Sequence, residues 1–330
     1  MARPYDVVTL GETMIRLSPP SFQRLEQATT LEVRVGGAEL SVAVGVARLG
    51  LRSAWLSKLP DNPLGRMVAN KAREHGVDVS HVIWTKEGRM GLYFVEFGAQ
   101  PRASSVLYDR ADSALSQMRP ADFDWAAIFS QARLFHVSGI TPALSPSCAE
   151  ATLAAARAAR EAGCTVSVDV NYRAKLWSEE EAGRVMTALM DSTDILITTE
   201  EDTKRVYRIE AGDYREVARE LQRRFDLKAV AITLRDTVSV LSNRWSAFAL
   251  AGDKLYEAPT YEVEVVDRLG AGDSFTAGFL WGYLQDDIAK GVAYGTAFSA
   301  LKHSVPGDFH WGTLAEVEAL VKGGGLRIQR

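Results

Sequence analysis

Residues 267–284 read "DRLGAGDSFTAGFLWGYL", where three small residues, Gly270, Ala271 and Gly272, stand directly before an acid, Asp273, that opens an apolar helix. Glycines let a backbone approach a ligand closely, and the unpaired N–H groups of a helix start attract anions. Phosphoryl transfer needs that combination: its charge spreads over three oxygens and is met by preorganised donors rather than by covalent chemistry. A carboxylate beside such a nest can take the proton of a hydroxyl as it adds to phosphorus. A carboxylate at a helix start can also be a plain cap. The string alone leaves both readings open.

The elements that must position this stretch are legible around it. Phe275, Phe279 and Tyr283 recur every four residues, giving the helix after Asp273 an apolar stripe to lay against a sheet. Five nearly continuous apolar runs supply strands: "DVVTLGE" (6–12), "LFHVSGI" (134–140), "TVSVDVN" (165–171), "DILITTE" (194–200) and "KAVAITL" (228–234). Such runs suit strands covered on both faces, as in a parallel sheet. Helical patterns lie between them, at 145–163 before a Gly C-cap, at 178–191 behind Ser178 and an acidic first turn, and at 211–225. The alternation predicts right-handed crossovers in an α/β fold, three layers (α/β/α) around a mostly parallel central sheet.

Two stretches break the rhythm. Residues 13–35 and 88–112 read as short strands and turns, and they flank helices expected at 38–49 and 63–75. Paired, they would make a small β-sheet lid over the C-terminal edge of the main sheet, where ligands bind in such folds. The expected division is therefore a main domain of 1–12, 36–87 and 113–330 and a discontinuous lid of 13–35 and 88–112. The final "KGGGLRIQR" reads as a loose end.

Bulk properties narrow the function. The 330 residues carry a net charge of −4 with acids and bases interspersed, so no basic face for nucleic acid is expected. Two cysteines, Cys148 and Cys164, make no disulfide framework and lack zinc spacing. The five histidines form no metal-binding helix pattern. No signal-peptide core opens the sequence and no apolar run is long enough to span a membrane. A cytoplasmic protein acting on small molecules is expected. A dinucleotide-dependent oxidoreductase would need a Gly-x-Gly-x-x-Gly turn after the first strand, and "TLGETMIRLS" has none.

A second landmark lies near the N-terminus in "VGGAELSVAVGVARLG" (35–50), with a glycine pair at Gly36 and Gly37. With the Gly-Ala-Gly-Asp string in the right order, nearly the whole chain resembles the ribokinase-like (PfkB) family of carbohydrate kinases. Within it the wording is most similar to the 2-keto-3-deoxygluconate kinases, in "GETMIRLSPP" (11–20), "LPDNPLG" (59–65), "RMGLYFVEFG" (89–98), "VLYDRADSA" (106–114), "DVNYRAKLW" (169–177) and "ALKHSVPGDF" (300–309). The resemblance implies a ribokinase-like fold, ATP as phosphoryl donor, Mg²⁺, and Asp273 as catalytic base with the amides of Ala271, Gly272 and Asp273 as anion hole. It implies that Gly36, Gly37, Tyr93, Tyr108, Arg110, Arg173 and Asp308 line a sugar-acid site. Asn171, Thr233, Arg235 and the rest of 233–238, with Gly270 and Gly272, would border the nucleotide. Lid sheets in relatives often pair across subunits, so a homo-oligomer through the lid is expected.

The residues themselves favour an acidic substrate. A sugar acid needs a cation for its carboxylate, and arginine meets a carboxylate in bidentate fashion. Arg173 follows a predicted strand at the ligand edge, and Arg110 lies among the aromatic residues of the lid; each alone can also be a surface ion pair. Some departures from the family bear on the sugar and the nucleotide. Ser41 stands where many relatives carry Asn, which shortens one polar reach into the sugar site. The segment "TLRDTVSV" (233–240) lacks the Gly-x-x-Gly turn that holds phosphates, and Arg235 would neutralise phosphate charge instead. Thr199 and Asp202 stand where Asn and Glu are common, so Asp202 would reach Mg²⁺ only through water. A monovalent cation near Asp267 occurs in some relatives and is undecided here. A kinase for fructose or 5-dehydro-2-deoxygluconate, and a sugar-binding regulator with a decayed nucleotide site, are the remaining alternatives.

Overall fold

The computed structural model describes residues 3–324, so the last six residues of "KGGGLRIQR" lie outside the described residues. Its strands are β1 (Tyr5–Leu10), β2 (Met14–Ser18), β3 (Glu32–Gly36), β4 (Ser53–Leu56), β5 (Lys58–Pro60), β6 (Ile83–Thr85), β7 (Leu92–Glu96), β8 (Ser105–Asp109), β9 (Ala132–Ser138), β10 (Thr165–Asp169), β11 (Ile195–Thr198), β12 (Ala229–Ser239), β13 (Ser242–Ala251), β14 (Lys254–Glu257) and β15 (Tyr261–Glu264). Its helices are α1 (Ala38–Arg48), α2 (Pro63–Glu74), α3 (Trp125–Phe129), α4 (Ile140–Ala143), α5 (Pro146–Glu161), α6 (Glu179–Met190), α7 (Glu200–Tyr207), α8 (Tyr214–Phe225), α9 (Ala271–Tyr283), α10 (Ile288–His303) and α11 (Leu314–Val321).

The apolar runs form the central sheet, in the order β14-β13-β12-β11-β10-β9-β1-β4, with β15 also on β13. The strands from β12 to β4 are parallel. Successive residues serve opposite cores, as the strand period requires. Val7, Leu134, Ile195 and Ala229 pack with Phe275, Phe279 and Phe298 of α9 and α10. Val8, Phe135, Leu196 and Val230 pack with α5, α6 and α8 on the other face. Three layers result.

The sheet departs from the expectation at one edge. Residues 233–238, expected to border the nucleotide without the Gly-x-x-Gly turn, continue as strand to Ser239 and pair antiparallel with β13, with Thr233 opposite Ala247 and Arg235 opposite Trp245. With β-branched Thr233, Thr237 and Val238 and no glycine to turn on, the segment has no local reason to leave the extended state.

Local chemistry sets the helices. The Ser145 hydroxyl accepts from the Cys148 amide at 3.1 Å and Pro146 opens α5, while Gly163 beyond its end has φ +72°. Ser178 caps α6 by accepting from the Glu181 amide at 3.1 Å. The helix expected from 211 starts only at Tyr214, because Asp213 caps it. Helices α9 and α10 touch backbone to backbone: a Cβ on Gly278 would lie 2.6 Å from the Gly295 Cα, and one on Gly282 would collide with Gly291. That contact seats the second half of α9 firmly on α10.

The two β-rich stretches pair into a separate four-stranded sheet of order β3-β2-β7-β8. Met14, Tyr93 and Val95 are buried on it, whereas Val33 and Leu107 stay 56% and 59% exposed. Among the described residues no helix is long and apolar enough to cross a membrane.

Candidate active site

A cavity of about 540 Å³ lies between the small sheet and the C-terminal ends of the central strands. Every site residue expected from the sequence borders it. Gly36 and Gly37 come from the β3–α1 junction, Tyr93 from β7, and Tyr108 and Arg110 from β8 and its exit. Asn171 and Arg173 follow β10, Asp202 lies in α7, and Thr233 and Arg235 in β12. Gly270 to Asp273 open α9, and Asp308 follows α10.

Asp273 is not the cap of its helix. That position belongs to Gly270, in the left-handed region at φ +83°, and Asp273 is the third helical residue. Gly270 is doubly required, since a Cβ there would also run into the main-chain oxygen of Asp308. The Ala271 amide donates back to the Arg268 carbonyl at 3.3 Å, whereas the amides of Gly272 and Asp273 have no such acceptor. The three-amide anion hole expected from the sequence thus narrows to two free donors. The Asp273 carboxyl is pushed up to about 7, by burial first and then by Glu39 and Asp308, against the pull of Arg173 and Ser41. Only its cavity side reaches solvent, so the desolvated environment favours the protonated form.

On the small-sheet side Gly36 makes room for a close pair: a Cβ there would collide with the Tyr93 hydroxyl and the Asp308 carboxyl. Tyr93 donates to Asp308 Oδ2 at 2.6 Å and its ring lies near-parallel to that of Tyr108, centroids 6.0 Å apart. Asp308 Oδ1 also accepts from Arg16 Nη1 at 2.7 Å. Arg110 is paired within the protein, donating through Nε to Glu12 Oε2 at 2.8 Å, with its guanidinium 5.6 Å from the Tyr108 ring centroid. Arg173 differs. Among the described residues it has no ion pair and donates only to the Tyr172 carbonyl at 3.2 Å, and its charge acts on Asp169, Asp202 and Asp273 together.

At the other end Asn171 sits at φ +38°, and the Thr199 hydroxyl caps α7 by accepting from the Asp202 amide at 3.1 Å. Burial raises the Asp202 carboxyl, and Arg173 opposes it. Arg235 has no carboxylate partner, nor does Arg268, whose Nη2 donates to the Val240 carbonyl at 2.8 Å. The Asp267 carboxylate is taken by Arg16 Nη2 at 2.7 Å and by the Gly307 and Leu269 amides.

The pattern of pfkB family carbohydrate kinases matches residues 5–310. The chain belongs to that family. It is 42% identical over 326 residues to a 2-dehydro-3-deoxygalactonokinase of Haloferax volcanii, spanning 98% of this chain and 99% of the relative. A 5-dehydro-2-deoxygluconokinase of Shouchella clausii is 31% identical over 327 residues, 97% and 96% of the two chains. The crystal structure of 2-dehydro-3-deoxygluconokinase from Thermotoga maritima has TM-score 0.95 and 41% identity, covering 98% of this chain and 99% of that one.

Sequence reasoning missed several groups of this carbohydrate kinase that face the cavity or stand behind it. Asp169 ends β10 inside the quoted "DVNYR" string; burial, Asp273 and Asp202 push its carboxyl well up. Glu39 lies two residues past the glycine pair, fully buried, with one oxygen accepting from Ser138 and Thr141. Its second oxygen has no partner. Position just after the glycine pair was the available signal for Glu39, and position at the C-terminal end of a central strand for Asp169. Arg268 and Arg16 also fall inside quoted motifs, but nothing local separates a cavity arginine from a buried one.

Proposed function

We propose that this kinase transfers the γ-phosphoryl group of ATP to the terminal hydroxyl of a 2-keto-3-deoxy sugar acid, forming the 6-phosphate of 2-keto-3-deoxygluconate or of its galacto epimer. The observation that carries the reading is the pairing, in one cavity, of a carboxyl poised near neutrality beside two free helix-start amides with an arginine lacking an ion partner. The names of the relatives at 42% and 41% identity support the same substrate class.

The chain's residues would divide the work as follows. Arg173 binds the substrate carboxylate, and Arg110, oriented by Glu12, offers its remaining N–H groups. Tyr93, Tyr108 and Asp308 take the hydroxyls and cover the sugar. Asp273 accepts the proton of the attacking hydroxyl as the new O–P bond forms and the bond to ADP breaks. The Gly272 and Asp273 amides hold the equatorial oxygens in transit. Arg235 and Arg268 meet the tail phosphates in place of a glycine turn. The carboxylates of Asp169 and Asp202 fit an indirect, water-mediated hold on Mg²⁺, which when bound with ATP offsets phosphate charge. The small sheet acts as a lid that keeps water from competing as acceptor. Buried, unpaired Cys148 and Cys164 fit a reducing compartment, and we place the enzyme in the cytoplasm, with copies pairing through the exposed Val33 and Leu107 of the lid.

The test is an ATP-dependent phosphorylation panel of 2-keto-3-deoxygluconate, its galacto epimer, 5-dehydro-2-deoxygluconate and fructose. The 2-keto-3-deoxy acids should have the highest kcat/KM. Preference for fructose would overturn the acidic-substrate reading, and no turnover with retained sugar binding would make the protein a regulator.

A further inference from the structure

Arg16 lies in the quoted "MIRLSPP" stretch, is 1% exposed, and does not border the cavity. It projects from β2, an inner strand of the small sheet, and stands in register with Tyr93 on β7. Its fork divides between two carboxylates of the opposite domain: Nη1 donates to Asp308 Oδ1 and Nη2 to Asp267 Oδ2, both at 2.7 Å, while Nε donates to Ser18 Oγ at 3.2 Å. Asp267 opens the turn that leads to the anion hole and accepts from the Leu269 and Gly307 amides at 3.1 and 2.8 Å. The main-chain oxygen of Asp308 occupies the space that a side chain on the left-handed Gly270 would take. An unbroken line of contacts therefore runs from the small sheet through Arg16 to the two amides beside Asp273.

An ion triad of this kind is poorly explained by stability alone, since buried charges gain little over apolar replacements. Asp308 also acts on the Asp273 carboxyl, and a cation on Asp308 limits that repulsion. We propose that Arg16 is a positioning residue for phosphoryl transfer: it latches the small sheet to the Asp267–Gly270 turn, fixing the anion hole, and neutralises Asp308 beside Asp273. The role rests on the kinase reading above.

The charged groups facing Asp273 are Glu39 on α1, Asp169 ending β10, Arg173 beyond it, Lys302 on α10 and Asp308. Arg16 is the partner that offsets the last of these. Removing it takes away the only cation in ion-pair contact with Asp308 among the described residues, leaving the Tyr93 hydroxyl and the more distant Lys302, and moves the acid limb of kcat/KM to higher pH.

The experiment compares Arg16→Lys and Arg16→Gln with the wild type. In Arg16→Gln, kcat should fall about tenfold or more, and the acid limb should move up by roughly half to one pH unit. Arg16→Lys, keeping the charge but losing the fork, should lose kcat while the limb stays near its wild-type position. Amide hydrogen exchange over 267–273 should quicken in both. A merely structural arginine would lower the folded fraction without moving the limb, and that result, or wild-type kcat in Arg16→Lys, overturns the proposal. If Arg16→Gln does not fold, Arg16→Lys decides by kcat and exchange. A wild type inactive on the whole sugar panel would sink the kinase reading; exchange over 267–273 unchanged in Arg16→Lys would sink the latch.

Discussion

Replacing Asp273 by Asn should lower activity and raise stability at once, because both effects come from the same desolvated carboxyl. The carboxyl moves from an unfolded value of 3.8 to about 7 in the folded chain. A base with that midpoint is about one-tenth ionised at pH 6 and nine-tenths at pH 8, so wild-type kcat/KM should rise about tenfold between them. Between 3.8 and 7 the folded state binds more protons than the unfolded one, so this group makes stability fall as pH rises through that window. At about 1.4 kcal/mol per pH unit the ceiling is ~4 kcal/mol. Solvent on the cavity side screens the charge, which leaves on the order of 1–2 kcal/mol. Asp273→Asn should therefore melt higher than wild type at pH 8, the gap closing as pH falls toward 4, while kcat drops roughly 10²–10⁴-fold. Calorimetric melts and initial rates over pH 4–9 test both. A gap that does not change with pH, or near-normal turnover by the variant, would refute the assignment of Asp273 as a desolvated base.

Other substitutions separate the remaining parts. Arg173→Ala should raise KM for sugar acids by about 10–100-fold and leave neutral sugars far less affected, because the lost partner is a carboxylate; equal losses for both would assign Arg173 elsewhere. Gly270→Ala, with φ +83° and the Asp308 oxygen in the way, should destabilise by a few kcal/mol in denaturant melts, whereas Gly272→Ala, with nothing within 4 Å of its added Cβ, should stay within about 1 kcal/mol of wild type. Val33→Glu together with Leu107→Glu on the outer face of the small sheet should shift sedimentation toward monomer without unfolding the chain, and an unchanged oligomeric state would move the contact elsewhere.

What the sequence revealed, and what it hid, follows from how local each cause is. Ser145, Ser178 and Gly163 mark helix ends through bonds to neighbours a few residues away, so they were readable in the string. The parallel strands were readable because both faces are apolar. The antiparallel edge was not: β12 and β13 are joined by a short turn at 240–241 that carries no glycine or Asn-Gly signal, and Arg235 lies opposite Trp245 through the register that turn sets. The same limit applies inside the site. Gly-Ala-Gly-Asp announces a helix start able to receive an anion, but which amides are free depends on Arg268 accepting from Ala271, a single backbone bond that composition does not encode.

The arginines around the cavity divide by what already holds them, and the division bears on specificity. Arg16 is saturated by two carboxylates and out of the cavity's reach. Arg110 is paired with Glu12, so its charge is largely cancelled before any substrate arrives. Arg173 alone on the sugar side keeps an unpaired guanidinium, drawn upon by Asp169, Asp202 and Asp273 without a bond to any. A substrate carboxylate arriving there would divert Arg173 from Asp273, and the opposing pull that holds the base's midpoint down would weaken. Binding an acid should thus raise the midpoint of Asp273 in the complex above that of the free enzyme. The acid limb of kcat, which reports the bound enzyme, should then lie at higher pH than the limb of kcat/KM for a sugar acid, and the two should coincide for a neutral sugar. Coincident limbs for both substrate classes would mean that the carboxylate is bound away from Arg173.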